Sequence, residues 1–428
     1  MNVLIIGSGG REHTLAWKIG QSKDCGNIYI SPGNAGTENI GTNLSVDVND
    51  FEGIADIITS KDINLVVIGP EDPLVNGLRD YLESTPEFSS LMIIGPGRNG
   101  AELEGSKDFS KDFMQEYNIP TAASKTFTLE TIDAGLAYLD LQTAPIVVKA
   151  DGLAAGKGVI IAQTVEEAKE ALRSMLIDNK FADAGKKVLI EEYLDGIELS
   201  VFVLTDGENF KILPEAKDYK RIGEHDTGLN TGGMGAVSPV PFATREYHSK
   251  VEELVVKPTL DGLKARGIKY VGFIFIGLMN VNGEPFVIEY NVRMGDPETQ
   301  VVIPRLDCDF LEVLKATALG TLSEVSLKIK DNVATTVVAV AGGYPESYEK
   351  GHLIDGLNNS LDTTIFHAGT KKVNETIVTN GGRVLAATGT GKSIQEALDK
   401  SYAAYSSIKW KDIYFRKDIG QDLLKHKT

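Results

Sequence analysis

Short, mainly apolar runs at 3–6, 27–30, 65–68 and 91–94 alternate with longer stretches of mixed polarity. Three of them stop at Gly or Gly-Pro. Val/Ile/Leu runs bounded by turn residues are the pattern of parallel strands buried on both faces, with helices between them. Residues 1 to about 103 therefore predict an open α/β unit. Ser106 then stands where a hydroxyl can cap a helix carrying Phe109, Phe113 and Met114, closed before Pro120. A strand at 145–150 leads through "DGLAAGKG" to another at 159–162, and Thr164 with Glu167 has capping-box spacing before a helix with Ala168, Ala171, Leu172 and Met175. The strand "KVLIEEYL" follows.

From Glu198 to about Gly320 the strands lengthen ("LSVFVLTD", "YVGFIFIGLMNV", "PFVIEYNV"). A glycine-rich loop is expected at 221–236 and a helix from Thr244. A tail unit starting near Val325 is β-rich, with one helix capped by Ser393 and Glu396. There is no internal repeat.

With 428 residues the chain is long enough for two to four packed units. Its 42% hydrophobic content excludes a disordered chain. Lys plus Arg is 43 against 60 Asp plus Glu, so the formal charge is -17, and no basic cluster offsets it locally. Nucleic acid and anionic membrane are poor partners for such a surface. An anionic ligand has to be met by glycine loops and a few placed cations. Two cysteines, Cys25 and Cys308, make no disulfide framework and point to a reducing, cytoplasmic setting. No secretory leader pattern and no apolar run of about 18 residues is present, so neither export nor a membrane span is expected.

The loop after the first strand, "GSGGREH", has the shape of an anion cradle, with Gly9 and Gly10 opening a helix. A dinucleotide enzyme is disfavoured, because Ser31 stands where a ribose-binding acid belongs. Loops at 31–36 and 69–72 should leave the same carboxyl edge of the sheet, where ligands collect. "GTGKS" at 389–393 fails as a phosphate loop, since the required first glycine is Ala386, and Ser393 is a helix cap. In "VVKADGLAAGKGV", Lys149 is a cation inside an apolar strand, which costs free energy unless an anion pairs with it. The glycines 152, 156 and 158 around Lys157 allow a hairpin to fold over phosphates. In "VIEYNVRMGDPETQ", Glu289 and Asn291 lie two apart on a strand, hence on one face, and offer oxygen ligands to a hard cation. A salt bridge made by Arg293 is the plainer alternative.

Taken together, "GSGGREH", "SPGNAGT", "KADGLAAGKGV", "DYKR", "NTGGMGA" and "EYNVRMGDPETQ" resemble, in order and over nearly the whole chain, the glycine ligases of purine biosynthesis within the ATP-grasp superfamily. The resemblance implies an α/β ATP-grasp fold with an N-terminal open parallel domain at 1–103, an ATP-grasp domain at 104–324 whose small lid spans about 123–192, and a mostly β C-terminal domain at 325–428. It implies ATP with magnesium or manganese, the substrates glycine and 5-phosphoribosylamine, and a monomer or weak homodimer.

By similarity, Lys107 and Lys149 touch the ATP phosphates and Gly152, Gly156, Lys157 and Gly158 cover them. Glu191, Glu192, Tyr193 and Leu194 present backbone to adenine, and Glu198 accepts from the ribose. Glu289 and Asn291 bind the metal, with a second ligand left to Glu284 or water. Arg293 stabilises charge on the transferring phosphoryl group or the glycine carboxylate, Asp218 holds the glycine amine, and Asp296 joins the substrate set. The phosphoribosyl end falls to Gly9, Gly10, Ser31, Pro32, Gly33, Asn34, Glu71 and Asp72. His13 and His225 are candidates for packing or capping more than for catalysis, and the 221–236 loop is expected to be a lid. Two other readings stay open, an ATP-grasp ligase with a different amine acceptor and a nucleotide binder without turnover.

Overall fold

The computed structural model describes residues 1–153, 158–178, 182–357 and 362–425. Among the described residues the first unit is a five-stranded parallel sheet, in the order Thr42–Asn43, Ile28–Pro32, Val3–Gly7, Leu65–Ile68, Met92–Ile94. Val3–Gly7 and Leu65–Ile68 are buried throughout, as the continuous apolar runs require. The strand order reverses around Val3–Gly7. The loops after this strand and its two neighbours therefore leave one carboxyl edge side by side.

A four-stranded antiparallel sheet, Ser124–Thr128, Lys187–Glu192, Ile146–Ala150 and Val159–Ala162 in that order, is backed by the helices Ile132–Leu139 and Val165–Leu176. The longer helix starts where its cap predicts, with Thr164 accepting from the Glu167 amide. Leu172 and Met175 on its inner face are fully buried with Val148 and Val188. Side chains of this size contribute about 1.5–3 kcal/mol each when buried. This layer, expected to be a lid, thus has a core of its own.

An eight-stranded sheet forms the rest. Its order is Glu284–Asn291, Gly272–Val281, Ile197–Thr205, Phe210–Asp218, Gly235–Ser238, Val333–Val340, Arg383–Gly391, Thr363–His367. The sheet runs straight across residue 325, because Gly235–Ser238 pairs with Phe210–Asp218 on one side and Val333–Val340 on the other. Burial gives way to exposure at the start of Ile197–Thr205 and the end of Gly272–Val281. That end carries Glu198.

The 221–236 segment departs from the expected loop. It is a hairpin, Arg221–Gly223 with Thr227–Asn230, followed by an interior strand of the large sheet. Its tip is fastened to the chain's end by a 2.7 Å Arg416–Asp226 ion pair and a 2.7 Å bond from the His225 amide to Asp418. His225 there takes a left-handed φ of 56°, a backbone role.

Candidate active site

The predicted phosphate lysines converge at the mouth between the lid and the large sheet. Ser106 caps the helix Lys107–Glu116 by accepting from the Phe109 amide. Lys107, in that first turn, donates 3.0 Å bonds to the carbonyls of Asp151 and Gly152, at the start of the glycine hairpin. Gly152 itself fits closely, since a Cβ there would lie 2.9 Å from the Ala184 Cα. The hairpin closes through the Ala150 amide on the Gly158 carbonyl, at 2.8 Å. Gly156 and Lys157 lie outside the described residues.

Lys149 has the anion its burial demands. Its Nζ is 2.9 Å from Glu191 Oε2 and donates to the Ile288 carbonyl at 3.3 Å. Lys111, one helical turn beyond Lys107, reaches the same carboxylate at 3.5 Å and donates to Thr121 Oγ1 and the Ala122 carbonyl. Burial pulls the Lys111 ammonium down to about 8, with Glu191 opposing. Glu191 therefore uses its side chain to hold two lysines. Beyond it the Glu192 amide bonds Ala123, Glu192 and Tyr193 are exposed, and Leu194 is half-buried, which leaves this strand end at the cleft surface.

Glu289 lies on Glu284–Asn291 opposite Gly277, and Asn291 opposite Phe275. A Cβ at Gly277 would stand 3.1 Å from the Glu289 Cγ, so the glycine makes room for the acid. Burial pushes Glu289 up, but Lys220, Lys149, Lys107 and Arg293 outweigh it and the carboxyl lies below its ordinary value. Glu284 is at the far end of the strand, paired with Lys250 at 2.6 Å, and does not join this set. Among the described residues no group of three or more His, Cys, Asp or Glu is placed to hold a metal ion. A magnesium ion takes one or two protein oxygens when phosphates supply others, and an ionised Glu289 with Asn291 fits that requirement.

Arg293 stands between two carboxylates, 3.1 Å from Glu71 and 2.7 Å from Glu104. Glu104 also accepts from the Val292 amide at 2.7 Å. Burial pushes Glu71 up, yet Arg293 and Arg11 prevail and hold it at about 2. For Glu104, burial prevails over Arg293 and places it at about 7. Asp218 is pushed up to about 6 by burial, against Lys220. Glu298, deeper in, is pushed up by burial and by Asp218.

The glycine cradle is filled by the chain's own acids. Glu12 Oε2 accepts from the Gly9 amide at 2.6 Å, and Asp296 Oδ2 from the Arg11 amide at 3.3 Å. Asp296 also takes a 2.8 Å bond from Gln300 and lies 3.5 Å from Arg383. Arg383 donates to the carbonyls of Gly232 and Asp296, tying "NTGGMGA" to "GDPETQ". Around the cradle, Ser31 donates to the carbonyls of Leu44 and Val46, and Asn34 to those of Ser8 and His367. The Gly33 amide bonds Gly7, while Pro32 and Asp72 are exposed. His13 is buried and accepts from the His367 amide, a packing role.

Sequence reasoning missed Glu12, Glu104, Lys111, Lys220, Glu298 and Arg383. Lys111 had a readable trace, since it lies four residues after Lys107 on one helical face. Lys220 stood inside the quoted "DYKR" without a role.

Three family models match in succession: the N domain of phosphoribosylglycinamide synthetase over residues 1–104, its ATP-grasp (A) domain over 105–299, and its C domain over 334–422. The chain belongs to this family. It is 47% identical over 425 residues to phosphoribosylamine–glycine ligase of Vibrio cholerae and 46% identical over 426 residues to that of Escherichia coli, with 98% of each chain covered in both cases. The crystal structure of phosphoribosylamine–glycine ligase from Thermotoga maritima superposes with a TM-score of 0.84 at 36% identity, covering 98% of this chain and 100% of that one. A biotin carboxylase domain from Hydrogenobacter thermophilus, at 16% identity and a TM-score of 0.72 over 97% of this chain and 91% of that one, shares the fold.

The phosphoribosylglycinamide synthetase family is one of ATP-dependent ligases, and this member joins glycine to 5-phosphoribosylamine in de novo purine biosynthesis, using ATP with magnesium. The readings of a different acceptor and of a binder without turnover fall away. Among the described residues no helix is long and apolar enough to cross a membrane.

Proposed function

We propose that ligation takes place where the lid, the large sheet and the N-terminal loops meet, in the cytoplasm, in a chain acting as a monomer or weak homodimer with units at 1–103, 104–324 and 325–428. The observation that carries this reading is the ionised Glu289 surrounded by Lys107, Lys149, Lys220 and Arg293. One carboxylate ringed by cations suits a polyphosphate with its metal, and phosphoryl transfer needs positioning and charge neutralisation more than a protein nucleophile.

In this reading Lys107 and Lys149 hold the ATP phosphates under the hairpin that contains Gly152, Gly156, Lys157 and Gly158. Backbone at 191–194 receives adenine and Glu198 receives the ribose. Magnesium held by Glu289 and Asn291 would screen the terminal phosphates. A glycine carboxylate oxygen attacks the terminal phosphorus and ADP leaves. The amine of phosphoribosylamine then attacks the acyl carbon, phosphate departs, and the new amide nitrogen loses a proton.

Arg293, oriented by Glu71 and Glu104, faces the charge on the acyl phosphate, and Asp218 receives the glycine ammonium. The phosphoribosyl end lies along Gly9, Gly10, 31–34 and 71–72, with Asp296 beside it. Ser31 offers backbone there, because its hydroxyl is committed to Leu44 and Val46. The test is ADP release by Glu289→Ala and the parent protein, with magnesium-ATP, glycine and phosphoribosylamine supplied together or singly. ADP that needs both co-substrates in the parent, and vanishes in the variant while nucleotide still binds, supports the assignment. Unchanged turnover in the variant removes Glu289 from the metal site.

A further inference from the structure

Lys220 joins two subsites that the reading above keeps apart. It follows the strand Phe210–Asp218, and its carbonyl accepts 2.8 Å bonds from the amide and hydroxyl of Thr231, so its backbone is fixed. Its ammonium is paired with Glu198 Oε1 and stands 4.0 Å from Glu289 Oε1. Glu198, on Ile197–Thr205, is the acid assigned to the ribose, and Glu289, two strands away, is the acid assigned to the metal. A single cation thus serves both acids. Glu198, Asp218 and Glu289 together keep it charged against its burial.

We propose that Lys220 is a positioning residue, a shared counter-ion that makes ribose binding at Glu198 and metal binding at Glu289 cooperative. The inference rests on those two assignments. A divalent ion at Glu289 repels the ammonium beside it, so metal arriving alone must push Lys220 away from both carboxylates. Ribose hydroxyls donating to Glu198 take over the oxygen that Lys220 holds. Whichever ligand comes first displaces the ammonium, and the second meets less opposition. The coupling needs no contact between the ligands, so a nucleoside without phosphates should show it. The released ammonium then lies beside the place where the terminal phosphates belong.

The experiment uses the full chain free of nucleotide, with manganese followed by its electron paramagnetic resonance signal and adenosine as the ribose probe. In the parent protein, saturating adenosine should lower the manganese Kd about tenfold, and manganese should lower the adenosine Kd by the same factor, since coupling is reciprocal. Lys220→Met should bind manganese more tightly than the parent without adenosine and lose the coupling, whereas Lys220→Arg, which keeps the charge, should retain it. Adenosine without effect on manganese in the parent, or full coupling in Lys220→Met, overturns the proposal. Glu289→Ala separates the two levels. If it binds manganese as the parent does, the metal assignment fails and the inference with it. If it loses manganese while the parent shows no coupling, the inference alone fails.

Discussion

The backbone N–H of His367 donates a 2.8 Å hydrogen bond to Nδ1 of His13, joining the first helix to the last strand of the eight-stranded sheet. The accepting lone pair is the one a proton would use. Burial, then the neighbouring His367, lowers His13 to about 3, and burial lowers His367 to about 4.

Both imidazoles therefore stay neutral in the fold at pH values where the unfolded chain, titrating at about 6.5, takes up protons. Stability is complete above that value and falls as the pH drops toward the folded values. Between pH 6.5 and 5 each histidine should remove about 2 kcal/mol. His13→Asn, which can still accept the bond and never titrates in this range, should show a smaller loss by about that amount in urea unfolding at the two pH values. An unchanged pH dependence would contradict the buried pair.

Gly69→Ala tests the self-filled cradle. Its Cβ would lie 2.1 Å from Glu12 Oε1 and 2.7 Å from Cγ and Cδ of that side chain, which is anchored on the Gly9 amide and the Arg11 guanidinium. The cost should be about 1–3 kcal/mol, as for other overpacked sites. In the proposed reading the disturbed loop serves the phosphoribosyl end, so the KM for phosphoribosylamine should rise while that for ATP holds. Equal changes in both would place Glu12 outside that subsite.

Arg293→Met strands the Glu71 carboxylate and forces Glu104, at about 7 even beside the arginine, to fold protonated, which together should cost about 3–5 kcal/mol. Adding Glu104→Gln spares the fold the proton uptake that a buried Glu104 needs once the arginine is gone, so the double variant should regain part of that stability in thermal unfolding at pH 7 without regaining turnover. A double variant no more stable than the single one would show that Glu104 is not charged by its partnership with Arg293.

Glu191→Ala takes away the carboxylate shared by Lys149 and Lys111. With two buried ammoniums facing each other, Lys149 should lose its fixed position, and the KM for ATP should rise about tenfold, the factor of roughly 1.4 kcal/mol. The KM for glycine should stay near its parent value. A change confined to glycine would move Lys149 out of the nucleotide subsite.

What was legible in the chain was what short spacing encodes. The caps at Ser106, Thr164, Thr244 and Ser393 all accept from the amide three residues on, and four of the five parallel strands lie where the apolar runs stood, the two-residue strand Thr42–Asn43 having no such run. Lys149 announced its need for an anion because a lone cation in an apolar strand has few solutions. Its partner Glu191 was also in view, but with a backbone role, since nothing in the spacing says that two paired strands set these residues diagonally on one face. Glu12 and Arg383 were invisible for the same reason: each acts on loops brought near it only by tertiary packing. The 221–236 segment misled because five glycines in sixteen residues suggested looseness, while a hairpin within it and the pairing of its last residues with strands before and after it made about half of it strand.

The continuity of the eight-stranded sheet across residue 325 bears on how the enzyme is made. Gly235–Ser238 gains its second neighbour, Val333–Val340, only after roughly a hundred more residues have been synthesised, and Arg383, which fastens the loop before it, comes later still. Until then the nascent chain carries a fully buried-type strand with one bare edge, the kind of surface that recruits other chains. A gene shortened at that point would not yield a smaller ligase with a missing appendage. It would yield a protein arrested in its most adhesive state.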